Sequence, residues 1–157
     1  MDKLENETKD IAKPIRGAKQ EDLPFLLKLW EASVRSTHLF ITEEDILFYK
    51  DVVKNVLSGP VTIYCIEIYE AVYGFMVIDK GSLEMLFIDP VHLHQGLGTL
   101  MLQFAIKNGV NTVEVNEQNY PAVNFYKRAG FQVLNKKNVD GFGKPYPILV
   151  MEIPPRP

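Results

Sequence analysis

The sequence predicts a mixed α/β fold: a central, mostly antiparallel sheet of six to seven strands with helices on both faces. Two segments of helical hydrophobic spacing come first. Three segments rich in β-branched and aromatic residues follow in close succession, separated by short turn-like pieces that suit antiparallel neighbours. The remainder alternates helix, strand, helix and two strands, an order that covers a sheet on both sides. The 157 residues suit one domain, expected over residues 13–157, behind a loose charged tail over residues 1–12.

Residues 13–16, Lys-Pro-Ile-Arg, form a short first strand. Leu23, Leu26, Leu27, Trp30 and Val34 then recur at helical spacing and predict an amphipathic helix from Asp22 to Ser36. Thr42 followed by Asp45 resembles a capping box, and behind it Ile46, Tyr49, Val52, Val53 and Val56 line one face of a second helix. That helix ends near Ser58-Gly59-Pro60. Strands follow over Val61–Ile68, Val72–Ile78 and Ser82–Ile88. Leu97, Leu100, Met101 and Phe104 make the face of a third helix, which stops at Asn108-Gly109. Thr112–Val115 is a short strand. Tyr120–Ala129 is the fourth helix, with Pro121 in its first turn and Gly130 just past its end, where each is favoured. Phe131–Leu134 and Ile148–Ile153 complete the sheet.

Composition removes several classes of function. A hydrophobic share of 46% and a charged share of 24% are ordinary for a soluble globular chain. The net charge of −3 argues against a nucleic-acid partner. The adjacent Lys136 and Lys137 are expected at a solvated edge. A single cysteine, Cys65, excludes an internal disulfide and any multi-cysteine metal site, and its strand setting makes it a packing residue. No apolar run approaches the ~18 residues of a membrane span, and Met1 to Lys13 lack the apolar core of a signal peptide. A cytoplasmic protein without a membrane partner is expected.

The chemistry is concentrated in residues 89–99, Asp-Pro-Val-His-Leu-His-Gln-Gly-Leu-Gly-Thr, where a strand gives way to a helix. A helix N-terminus exposes unpaired backbone N–H groups and partial positive charge, so it suits an anion. Gly96 and Gly98 would let the backbone approach a phosphate, and Thr99 could add a hydroxyl. Taken alone, the same residues also fit a strand-to-helix turn with incidental glycines. They lack the Gly-Lys-Ser/Thr of a P-loop. His92 and His94 form a His-x-His pair, but a catalytic zinc site needs three protein ligands and the sequence places no third, so no metal is expected.

Some twenty residues on, Asn119, Ala122, Phe125, Tyr126, Gly130 and Phe131 stand in one register. Here the chain resembles the GNAT N-acetyltransferases, which pair an Arg/Gln-x-x-Gly-x-Gly/Ala phosphate loop with a later Asn-x-x-Ala-x-x-Phe/Leu-Tyr-x-x-x-Gly-Phe helix. Residues 30–40 and 143–147 extend the resemblance to a YjaB-like bacterial branch, so it covers nearly everything from Pro14 to Ile153. One position departs: the basic or amide residue that opens the loop falls at Leu93, whose side chain cannot hydrogen-bond. His94 and Gln95 are the residues placed to compensate.

The resemblance implies a GNAT fold that binds acetyl-CoA between two splayed strands, while an amine attacks the thioester directly in a ternary complex. It implies that Leu86, Phe87 and Ile88 offer backbone groups to the pantetheine arm and the thioester carbonyl. Leu93, His94, Gln95, Gly96, Leu97, Gly98 and Thr99 would surround the pyrophosphate, and Asn119 would hold the cofactor arm. Tyr126 would protonate the departing thiolate. A core tyrosine is the other reading of Tyr126, since it shares a helical face with Ala122 and Phe125. On the acceptor side, a lysine-like amine is neutral in only about one molecule in 2,500 at pH 7, so a base is useful. Glu84 is the first candidate for it, a solvated strand carboxylate being the alternative. By the same resemblance, His38 and Tyr146 would lie towards the acceptor.

The expected activity is transfer of an acetyl group to a primary amine, whether a protein lysine, a protein N-terminus or a small amine, by a monomer or homodimer. The alternative from another class is a non-catalytic acyl-CoA-binding or sensing module on the same fold. A third, a nucleotide-binding module, leaves the Asn119–Phe131 pattern unexplained.

Overall fold

The computed structural model describes residues 14–155; the tail expected over residues 1–12 lies outside the described residues. In chain order the elements are β1 (Ile15–Gly17), α1 (Leu23–Thr37), α2 (Glu43–Leu57), β2 (Thr62–Ile68), β3 (Ala71–Asp79), β4 (Ser82–Ile88), α3 (Leu97–Lys107), β5 (Thr112–Asn116), α4 (Tyr120–Arg128), β6 (Gln132–Lys137) and β7 (Ile148–Glu152). The strands form one seven-stranded sheet in the order β1-β2-β3-β4-β5-β7-β6. Every neighbouring pair is antiparallel except β4 and β5. These two run parallel, as a strand–helix–strand connection through α3 allows.

Successive side chains of a strand point to opposite faces, and the two hydrophobic cores follow that alternation. Cys65, Phe75 and Val77 pack under α1 and α2 with Leu26, Trp30, Val34 and Val53. Ile66 and Met76 pack on the other face with Met101 and Leu102 of α3 and Val123 and Tyr126 of α4. Cys65 has no exposed surface, and burial pushes its thiol up to about 11. A thiol this deep acts as a small apolar side chain rather than a nucleophile.

Two local features open the middle of the sheet. In the β3–β4 ladder Val77 faces Met85 and Ile78 faces Leu83, which leaves Glu84 as an extra residue in a bulge. A bulge bends its strand and adds twist. Pairing between β4 and β5 is confined to Ser82 with Thr112 and Leu83 with Val113. Beyond Leu83 the β5-facing edge of β4 therefore has no strand partner, and the two strands part. Gly74 lies opposite Ile88 across the other ladder. A Cβ there would fall 2.6 Å from Ile88 Cδ1 and 2.8 Å from the Phe87 carbonyl oxygen, so only glycine lets β3 approach β4 this closely.

Two expectations are modified. β6 runs over Gln132–Lys137 rather than residues 131–134, and all six of its residues are exposed. An edge strand with no buried face carries no alternation to mark its end. Lys136 and Lys137 pair with Glu117 and Glu114 there. The capping box at α2 is only half closed. Thr42 Oγ1 accepts from the Asp45 N–H at 3.2 Å. The Asp45 carboxylate instead accepts from Lys144 Nζ at 2.7 Å and from the Tyr146 hydroxyl. Tyr146 Oη in turn accepts from the Thr42 N–H at 3.4 Å. The loop between β6 and β7 is thereby tied to the start of α2.

Candidate active site

A cleft of about 780 Å³ runs over the end of β4. One wall is the end of α1, Ser33 to His38; the floor is Leu86 to Ile88 of β4; the far walls are the 92–99 loop and α4. A smaller recess of about 100 Å³ lies within the splay, lined by Leu83 to Phe87 of β4 and Val113 to Asn116 of β5. His38, Leu86, Phe87, Asn119, Ala122 and Tyr126 line both, so the two spaces meet at these residues.

The loop is built from local capping. Asp89 Oδ1 accepts from the Val91 N–H at 3.0 Å and sets a 3-10 turn over Pro90–His92. His92 lies flat on Tyr73, ring centroids 3.6 Å apart and 5° from parallel. His94 takes φ of 63°, unusual for a residue with a side chain. Gly96 takes φ of 82° and is the N-cap of α3, which has no side-chain cap. The first-turn N–H groups of α3 are therefore available to an anion, with the helix dipole behind them.

Asn119 caps α4, and the cap fixes a proton elsewhere. Its Oδ1 accepts from the Ala122 N–H at 3.4 Å, which leaves Nδ2 facing His38 Nε2 at 3.3 Å. An amide NH₂ only donates, so His38 Nε2 accepts and the ring proton sits on Nδ1. From there it is donated to Thr37 Oγ1 at 2.8 Å, and that hydroxyl donates to the Ser33 carbonyl at 2.8 Å. Burial pushes the His38 imidazole down to about 4. The unfolded chain, with an ordinary histidine near 6.5, takes up the proton first. Stability is therefore unaffected above pH ~6.5 and is lost as the pH falls from there towards about 4. His38→Gln is expected to shrink that acid loss in urea unfolding followed across this range. Histidine ring ¹⁵N NMR should show the Nδ1–H form of His38 at pH 7. An imidazolium there would contradict the assignment.

Tyr126 is 6% exposed and packs edge-on against Phe125 and Phe131. Its hydroxyl enters no side-chain hydrogen bond among the described residues, yet no polar atom among them is sealed off without a partner. The hydroxyl therefore opens on the cavities its ring lines. Burial pushes the phenol well above its usual range, so it is fully protonated at neutral pH. Glu84, the bulged residue, lines the recess together with Glu114. Although the residue is exposed, partial desolvation beside the recess is the first cause that raises its carboxyl, and the nearby Glu114 and Asp79 charges add to it, against an opposing hydrogen bond from Ser82.

Of the residues expected at the site, Leu86, Phe87, Ile88, Leu93, His94, Gly96, Leu97, Gly98, Thr99, Asn119, Tyr126 and His38 line the cleft, and Glu84 lines the recess. Gln95 lines neither. Nor does Tyr146, which is buried beside Asp45 and in aromatic contact with Phe40, itself in contact with His38. Thr37 and Arg128 also line the cleft and were not anticipated. Arg128 stands one turn after Phe125, a spacing that places it on the same side of the helix.

Comparison with known proteins agrees with this geometry. A family model described as an acetyltransferase (GNAT) domain matches residues 35–133. The peptidyl-lysine N-acetyltransferase YjaB of Salmonella typhimurium is 35% identical over 142 residues, covering 89% of this chain and 97% of that protein. The solution structure of apo-form YjaB from Escherichia coli superposes with a TM-score of 0.81 at 33% identity, covering 88% of this chain and 95% of that one. The crystal structure of the PaiA N-acetyltransferase from Thermoplasma acidophilum, in complex with coenzyme A, shares the fold with a TM-score of 0.63 at 23% identity over 88% and 97% of the two chains. The chain belongs to the GNAT acetyltransferase family and is an N-acetyltransferase.

Proposed function

We propose that the chain transfers the acetyl group of acetyl-CoA to a primary amine, with the side chain of a protein lysine as the acceptor class, by direct attack of the amine. The observation that carries this reading is the gap between β4 and β5 beyond Leu83, faced by the open hydroxyl of Tyr126. The residues fit acetyl-CoA. The unpaired edge of β4 offers backbone groups to an extended amide-bearing arm, and the uncapped start of α3 offers N–H groups to phosphates. When bound, acetyl-CoA supplies the activated acetyl thioester. Tyr126 gives its proton to the departing sulfur. Glu84, in the recess, accepts the proton of the incoming ammonium directly or through water. His38, kept neutral, is engaged at both ring nitrogens, Nε2 by the Asn119 amide and Nδ1 by Thr37, and so holds Asn119 in place where the two spaces meet. The lysine acceptor is supported by the recess, where Glu84 offers negative charge to a cation while Glu114 is paired with Lys137, and by the activity named for YjaB. A cytoplasmic setting agrees with the one cysteine remaining a free thiol.

The test is a pH–rate profile of Glu84→Gln with a lysine-bearing peptide. In the native enzyme kcat/KM rises as the Glu84 carboxyl ionises, a rise displaced upward from the ordinary carboxylate range. The variant is expected to lose that limb and about 10²-fold in rate. An unchanged profile would remove Glu84 as the base.

A further inference from the structure

We propose that the chain acetylates its own Lys137 on β6, as an acceptor within the same molecule. The inference rests on reading the recess as the place where an amine meets acetyl-CoA, and it names one lysine that the fold already holds beside it. Lys137 Nζ donates to Glu114 Oε1 at 2.7 Å, and Glu114 lines the recess with Glu84 and Tyr126. At about 100 Å³ the recess is only a few side-chain atoms across, and the Glu114 charge is felt at the Glu84 carboxyl. Of the other lysines paired with a carboxylate among the described residues, Lys50 binds Glu31, Lys136 binds Glu117 and Lys144 binds Asp45. None of those carboxylates lines the recess.

Strand register explains why this lysine and not its neighbour reaches the site. Val113 and Val115 of β5 and Leu149 and Met151 of β7 are buried in the core with α3 and α4. Alternation turns Glu114 of β5 and Ile148 and Val150 of β7 to the opposite face. Glu114 is level with Val150, and Lys137 with Ile148. The Lys137 side chain therefore crosses β7 on that face to reach Glu114. The core under α1 and α2 takes no residue from β5, β6 or β7, so neither helix covers the lysine stem. Lys136 is level with Leu149, turns to the other side and pairs with Glu117. The Lys137 and Glu114 side chains are 50% and 47% exposed, and an ion pair in such a setting contributes at most about 1 kcal/mol. The amine can leave Glu114 at little cost and turn into the recess. There Nζ forms a bond to the acetyl carbon as the carbon–sulfur bond of acetyl-CoA breaks. Of the two protons that the ammonium sheds, one goes to Glu84 and one replaces the proton that Tyr126 gives to the sulfur. The resulting amide carries no charge and cannot pair with Glu114, which leaves that carboxylate to the ammonium of an incoming acceptor.

The experiment is mass spectrometry with peptide mapping of the full chain, first treated with a lysine deacetylase and then incubated with deuterium-labelled acetyl-CoA at several protein concentrations. The native protein, K137R, K136R and Tyr126→Phe are compared, with the Tm of each recorded and a lysine-bearing peptide offered in a parallel sample. The expected result is one labelled acetyl group per chain, carried by Lys137, in the native protein and in K136R. Its rate should not depend on protein concentration, as a reaction within one molecule requires. K137R keeps a cation for Glu114 but brings a guanidinium that stays protonated, and should lose the label. Tyr126→Phe should lose it as well, which separates catalysed transfer from direct reaction of a surface lysine with the thioester. Label placed on another lysine in preference to Lys137, equal label in Tyr126→Phe and the native protein, or a rate that rises with protein concentration would each overturn the proposal. So would a native chain that acetylates the peptide and leaves Lys137 unlabelled, a result under which the function proposed above stands. Transfer to neither Lys137 nor the peptide would overturn that function and this inference with it.

Discussion

Replacing Tyr126 by phenylalanine is expected to lower kcat by about 10²- to 10⁴-fold, the range for a positioned proton donor. The same change should leave acetyl-CoA affinity within about twofold and the fold at least as stable. Each part follows from how the side chain is held. The ring is fixed by edge contacts with Phe125 and Phe131, at centroid distances of 5.2 Å and 5.7 Å, and phenylalanine keeps both. The hydroxyl has no hydrogen-bond partner among the described residues, so its removal leaves no group unpaired and takes a polar atom out of a largely buried position. What disappears is the hydroxyl of a ring that lines both the cleft and the recess. Steady-state kinetics under chemistry-limited conditions, with a parallel acetyl-CoA titration, check this. Undiminished kcat would return Tyr126 to the hydrophobic core as packing alone.

The largest effect on stability is expected from Phe75→Ala, about 3–5 kcal/mol. Phe75 has no exposed surface and sits on β3 under α1 and α2, packed with Leu26, Trp30, Val34 and Val53. Its ring centroid lies 5.8 Å from that of Phe87, which it faces across the ladder and which lines the cleft. Truncation leaves a cavity beneath the floor of the site as well as between sheet and helices. For a domain of this size each kcal/mol moves Tm by about 2–4 °C, so a drop near 10 °C is expected. Phe25→Ala is the control: Phe25 is 47% exposed, and the change should cost no more than about 0.5 kcal/mol. Equal urea midpoints for the two variants would contradict the burial described here.

Much of this was legible in the residues. The four helices declared themselves because each buries one face and leaves the other wet, so a period of 3.6 survives in the sequence. The loop and the Asn119–Phe131 pattern were legible because backbone approach and capping demand particular residue types at fixed offsets. Long-range pairing was not. The phenol of Tyr146 reaches Asp45 across 101 positions of chain and completes the cap of α2 rather than lining the cleft. The tautomer of His38 depends on an amide 81 positions away. The bulge at Glu84 was hidden too, since it depends on how β3 pairs with β4 and not on the residue alone. The end of β6 lacked any burial pattern to mark it. Arg128 could have been found by asking which cation shares a helix side with Phe125.

The most direct test of the central claim, that amine acetylation takes place in the splay between β4 and β5, is mass spectrometry of a lysine-bearing peptide incubated with the protein and acetyl-CoA, with released CoA thiol followed in the same sample. The predicted result is acetylation of the lysine side chain matched one for one by released thiol, present with the native protein and nearly absent with Tyr126→Phe. Acetyl-CoA binding by a folded native protein without transfer to any amine offered, or equal transfer by both proteins, would contradict it.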